Sequence, residues 1–171
     1  MVARTTCMAE VTLGGNPVHT SGDLPAVGAA APAYSLVGAD LGEYDGSEFT
    51  GKNVILNIFP SIDTPTCANS VRQFNERAAG MDETVVLCVS ADLPFAMGRF
   101  CGAEGIANVK VGSTFRSSFG SDYGVTLTDG ALQGILARAV VVIGPDGAVK
   151  HTELVAEIAQ EPNYDAALAA L

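Results

Sequence analysis

The sequence predicts an α/β fold: a mixed central sheet flanked by helices, with an added β-hairpin near the N-terminus. Three observations predict it. Val54-Ile55-Leu56-Asn57-Ile58-Phe59 and Val85-Val86-Leu87-Cys88-Val89-Ser90 are near-continuous apolar runs, as in strands covered on both faces. A helical pattern lies between them, and a strand–helix–strand unit of this kind favours parallel strands. A third apolar run, Ala139 to Ile143, is followed by Gly144-Pro145-Asp146-Gly147, which turns it into an antiparallel partner around Val149 and His151.

The remaining elements follow in chain order. Glu10-Val11-Thr12-Leu13 and Val18-His19-Thr20 read as a hairpin around the turn Gly14-Gly15-Asn16-Pro17. The Gly, Pro and Ala density from Ser21 to Pro32 predicts an irregular connection. A helix is expected from about Thr66 to Ala79, with Val71 and Phe74 on one face. A second helix runs from Pro94, where proline suits a helix start, through Cys101. A closing helix spans Tyr164 to Leu171. With no internal repeat and no second boundary, residues 1–171 are expected to form one domain, residues 1–8 being a flexible tail.

Composition narrows the function. A hydrophobic content of 48% with 16% charged residues argues against disorder. Nine basic residues against 19 acidic give a net charge of −10, which argues against a nucleic-acid surface. The opening residues contain no apolar core of a secretory signal, and no apolar run approaches the ~18 residues of a membrane span. A cytoplasmic protein without membrane contact is expected. The four cysteines, Cys7, Cys67, Cys88 and Cys101, show no C-x-x-C and no paired metal spacing. Nor is there a phosphate loop or dinucleotide fingerprint, so neither a metal nor a cofactor is expected.

Chemistry concentrates at Asn57-Ile58-Phe59-Pro60-Ser61-Ile62-Asp63-Thr64-Pro65-Thr66-Cys67, a buried strand running through a proline turn into a helix. Cys67 falls in the first helical turn, where unpaired N–H groups and the positive dipole end favour a thiolate. A free cysteine titrates near ~8.5; at a helix start beside a cation it falls to roughly 3.5–7.5. Thr64, three residues earlier, is placed to aim its hydroxyl at the sulfur or at a bound oxygen. An inert buried thiol is the commoner fate of a lone cysteine; Pro60, Thr64 and the helix start weigh against it here. Arg138 heads the apolar run 139–143, where a charge is costly unless paired. It either reaches solvent from the strand end or supplies the cation, and spacing alone does not choose. Arg72 is open in the same way, as a second charge near the site or a solvated helix-face residue.

Pro60-x-x-x-Thr64-x-x-Cys67 resembles the active-site signature of the peroxiredoxins. Longer blocks resemble their bacterial thiol peroxidase subgroup: Phe59 to Thr64, Ser90-Ala91-Asp92-Leu93-Pro94-Phe95, Arg99-Phe100-Cys101-Gly102-Ala103-Glu104-Gly105, Ala137 to Ile143, and Glu161-Pro162-Asn163-Tyr164. The resemblance covers the chain from about Met8 onward. It implies a thioredoxin-like fold with the N-terminal hairpin as a subgroup feature. It implies Cys67 as the peroxidatic nucleophile, Pro60 packing over its sulfur, and Arg138 as the active-site arginine. Cys101 is implied as the resolving cysteine of an intramolecular disulfide. It further implies a hydroperoxide substrate, organic ones preferred, thioredoxin as reductant and a homodimer. Phe59, Ile62 and Phe95 are compatible with an apolar peroxide.

A disulfide needs Cα atoms roughly 4.4–6.8 Å apart, and residues at the starts of two helices exceed that. Local unwinding around both cysteines is therefore expected in each turnover, and Gly98, costing about 1 kcal/mol against alanine, suits a segment that opens. Cys88, inside a strand, reads as core packing, and Cys7 as an incidental thiol in the tail, since Met8 could itself serve as a start. His19 and His151 receive no catalytic role. Two other functions compete. A dithiol–disulfide oxidoreductase is disfavoured by the missing C-x-x-C. A redox-sensing or chaperone-like binding protein would lack sustained turnover.

Overall fold

The computed structural model describes residues 8–171; Cys7 and most of the expected tail lie outside the described residues. The N-terminal hairpin pairs β1 (Glu10–Leu13) with β2 (Asn16–His19), Leu13 opposite Asn16. Its turn is the pair Gly14-Gly15 alone, at φ 58° and 82°. Two residues of positive φ match the twist of the flanking strands, so the chain turns there and Asn16 and Pro17 join the second strand.

The later elements are β3 (Ser35–Val37), β4 (Glu43–Asp45), β5 (Asn53–Ile58), α1 (Pro65–Ala78) and β6 (Thr84–Ser90). After them come α2 (Pro94–Glu104), β7 (Lys110–Ser113), α3 (Phe119–Asp122), β8 (Ala139–Ile143), β9 (Val149–Leu154) and α4 (Tyr164–Ala169). Among the described residues the main sheet has the order β4-β3-β7-β6-β5-β8-β9. β5, β6 and β7 run parallel through the crossovers α1 and α2, and β8 and β9 return antiparallel. This is the mixed α/β sheet with an added hairpin that the sequence predicts. The short strands β3, β4 and β7 and the four-residue α3 were not expected. The second helix also continues past Cys101, because Gly105 is the first residue to adopt a left-handed cap (φ 66°). Cys101 therefore sits in the C-terminal half of α2, not near its start.

Alternation along β5 divides the core. Val54, Leu56 and Ile58 join one apolar cluster with Tyr34, Phe49 and α3's Phe119. Ile55 and Phe59 join the other, with Val71 and Phe74 of α1, Met97 of α2 and Ala167 of α4. Three helices thus cover one face. A third cluster, Val11, Val18, Leu127, Ala137 and Ile158, seats the hairpin against the end of β8. Among the described residues no helix is long and apolar enough to cross a membrane.

Candidate active site

Strand β5 delivers the chain to Pro60, buried at its end, and the segment 61–64 turns it into α1. Pro65 begins the helix, where a missing N–H costs nothing. Cys67 lies in this first turn, fully buried beside Phe59, Ile62 and Val71. The Thr64 hydroxyl is not aimed at the sulfur: it donates to the Ser61 carbonyl at 2.9 Å, closing the turn whose Thr64 N–H also bonds Ser61. Its lone pairs remain able to accept a hydrogen bond.

Arg138 is 2% exposed and immediately precedes β8. Its Nη2 donates to Cys67 Sγ at 3.2 Å and its Nε to the Ile158 carbonyl at 2.7 Å. Its Nη1 is buried with no hydrogen-bond partner among the described residues. Nor does any carboxylate there pair with it. A buried guanidinium facing a sulfur, with no carboxylate to neutralise it, is unusual because desolvated charge is costly without a partner.

The turn that presents Cys67 is held from outside. Asp92, after β6, accepts from Ser61 Oγ and from the Ile62 N–H, both at 2.7 Å, and from Ser90 Oγ. Asp63 pairs with Arg99 of α2 at 2.7 Å. Beneath the helix, Ser70 Oγ donates to the Cys67 carbonyl at 2.8 Å and accepts from Asn57 Nδ2 at 3.1 Å. Sequence reasoning gave Asp92, Asn57 and Ser70 no role. An Asn inside an otherwise apolar strand was the available signal, since a buried amide needs a partner.

Cys88 is fully buried in β6, and burial pushes its thiol up to about 12. Cys101 is half-buried, and burial raises its thiol too. It lines a cleft of about 450 Å³ with Gly38, Tyr44 and Val111, a cleft that Cys67 does not line. Both thiols, like that of Cys67, are unpaired. Arg72 turns away from Cys67: it binds Glu104 through two bonds of 2.8 Å and covers the Phe100 ring. Phe95 is 68% exposed, whereas Phe59 and Ile62 are buried in the same cluster as Cys67. Among the described residues no cluster of His, Cys, Asp and Glu is arranged to hold a metal ion.

The sequence profile of the redoxin family matches residues 26–168. The chain belongs to the redoxin family. It is 65% identical over 164 residues to a thiol peroxidase of Mycobacterium tuberculosis, covering 96% of this chain and 99% of that one. It is 54% identical, with the same coverage, to a thiol peroxidase of Corynebacterium glutamicum. A solved peroxiredoxin-like protein from Aquifex aeolicus superimposes with a TM-score of 0.90 at 44% identity, over 95% of each chain. The resemblance to the thiol peroxidase subgroup of the peroxiredoxins is borne out, as is the thioredoxin-like redoxin fold.

Proposed function

We propose that this redoxin reduces hydroperoxides through Cys67, with Cys101 as the resolving thiol. The observation that carries the reading is the buried Arg138 guanidinium donating to Cys67 Sγ at 3.2 Å with no carboxylate beside it. A cation held against sulfur stabilises negative charge there, so the thiolate is the anion that balances Arg138. The thiolate attacks the distal peroxide oxygen. An S–O bond forms as the O–O bond breaks, leaving a sulfenic acid, and the departing alkoxide takes a proton to become alcohol. Arg138 Nη1, buried and without a partner, supplies a donor to the oxygen on which charge develops. Thr64 Oγ1 offers an acceptor to the peroxide proton, and Pro60 limits water at the sulfur.

Cys101 then attacks the sulfenic sulfur, forming an S–S bond and releasing water. Cys101 sits on α2, packed against the apolar cluster that holds Cys67, and local unwinding of both helices brings the two sulfurs together. Burial raises the Cys101 thiol above its ordinary value while α2 is folded, so opening favours its thiolate. A dithiol protein of the thioredoxin type returns two electrons and regenerates both thiols. The family resemblance supports that reductant and a homodimer. The apolar wall of Phe59 and Ile62 supports organic hydroperoxides as substrates.

Peptide mapping by mass spectrometry, after one equivalent of cumene hydroperoxide is added to reduced protein, tests the scheme. A linked Cys67–Cys101 peptide pair within one chain is expected. Sulfenic or sulfinic acid at Cys67 without that pair would remove Cys101 from its role. Full peroxide consumption by a Cys67→Ser protein would refute the nucleophile.

A further inference from the structure

We propose that the N-terminal hairpin positions Arg138, and that Glu157 is the positioning residue through which it acts. The inference rests on the reading of Arg138 as partner of the Cys67 thiolate. Arg138 Nε is held by the Ile158 carbonyl at 2.7 Å, so the direction of the guanidinium depends on where residues 156–159 lie. That segment has little regular structure of its own. It is fixed by the hairpin instead: the Thr12 N–H bonds the Ala156 carbonyl, and the Ile158 N–H bonds the Thr12 carbonyl, each at 2.8 Å.

Glu157 sits at the centre of this junction. One carboxylate oxygen accepts from the Gly15 N–H at 2.8 Å and from Thr12 Oγ1 at 3.1 Å; the other accepts from the Ala159 N–H at 2.9 Å. The Gly14-Gly15 turn thereby does more than reverse the chain. Successive residues at positive φ direct backbone N–H groups toward an anion, and the anion here is a side chain 142 residues away. These contacts hold the Glu157 carboxyl below the usual carboxylate range.

The same segment reaches the nucleophile from the other side. The Ala159 carbonyl accepts from Thr66 Oγ1, beside Cys67 in the first turn of α1, at 3.1 Å. Ile158, 2% exposed, also packs with Val11 and Val18 of the hairpin and with Ala137, the neighbour of Arg138. One short segment therefore carries the guanidinium's acceptor and a tie to the nucleophile's helix, and the hairpin sets its place. A donor held to within about half an ångström of its productive position requires such support.

The test compares Glu157→Ala, Glu157→Gln and Thr12→Val with the parent protein. Three quantities are read: the pH profile of Cys67 alkylation by iodoacetamide, the rate constant with cumene hydroperoxide, and the thermal unfolding midpoint. Glu157→Ala is expected to move the alkylation profile to higher pH and to slow peroxide reaction roughly tenfold. That lies below the roughly hundredfold loss that a 1 Å misplacement can bring. Glu157→Gln, which keeps a carbonyl acceptor for Gly15, recovers part of the loss, and Thr12→Val shows a smaller shift of the same sign. Variants that unfold at lower temperature while profile and rate stay unchanged would overturn the proposal and leave the hairpin a purely structural cover. If Glu157→Ala does not fold, the other two decide. An Arg138→Met protein with both reactivity readouts unchanged would instead remove the reading of Arg138 beneath it.

Discussion

Replacing Gly98 by alanine isolates the opening of α2 from the chemistry at Cys67. Gly98 lies inside the helix, three residues before Cys101, and an added Cβ would meet only the Ala39 methyl at 3.5 Å, an ordinary contact. Its φ is not in the left-handed region, so alanine fits without strain. The substitution stabilises the folded helix by about 1 kcal/mol. At 1.36 kcal/mol per factor of ten, the opened population falls about fivefold. In the proposed scheme Cys101 pairs with Cys67 from that opened population, its place on the folded α2 being lost first. Disulfide formation should therefore slow about fivefold while the first reaction with peroxide is unchanged. Rapid mixing with one equivalent of peroxide, acid quenching and mass spectrometry would count sulfenic acid and disulfide with time. Excess peroxide should give more sulfinic acid in the variant. Slower amide exchange in α2 with an unaltered disulfide rate would refute the reasoning, since Cys101 would then react from the folded helix.

Arg138→Met removes the donor to Cys67 Sγ and should cut the peroxide rate at least about a hundredfold. A rate within a few-fold of the parent, read by rapid mixing with cumene hydroperoxide, would contradict that account. Asp92→Ala strips acceptors from Ile62 N–H, Ser61 and Ser90, and should cost about 1–3 kcal/mol in urea titration together with activity. The His19 ring is raised above its ordinary value chiefly by its hydrogen bond to Asp129. Its contribution to stability is complete below its unfolded value of about 6.5 and is lost as pH rises through the higher folded one. Urea midpoints should decline across that window, and His19→Gln should flatten the decline.

Much of the architecture was legible because it depends on apolar runs. The strands β5, β6 and β8 and the helices α1 and α2 each bury a continuous face or begin at a proline. What escaped lacks that pattern. β7 is four residues with Gly112 at its centre, which reads as a breaker. In the fold that glycine is required, because a Cβ would lie 2.6 Å from the Tyr44 hydroxyl and 2.8 Å from Leu36. β3 and β4 are three residues each and owe their pairing to neighbours. At the site, Cys67 and Arg138 could be singled out from local context, a helix start and a charge in an apolar run. Asp92 and Glu157 could not: an acid in a polar loop looks like a solvated surface until the distant N–H groups it serves are in place. The Thr64 hydroxyl went astray for a similar reason, since the tight turn back to Ser61 claimed its proton first.

Cys88 gives the molecule a built-in clock for its own unfolding. Its sulfur lies in the cluster that α1 and α2 cover and is kept protonated by burial, so an alkylating reagent reaches it only when those helices leave the sheet. Labelling at Cys67 and Cys101 would report openings within α1 and α2, and labelling at Cys88 the loss of that whole layer. The ratio of these rates, resolved by peptide in a single experiment, would measure how far the motion that the proposed scheme requires is uncoupled from unfolding.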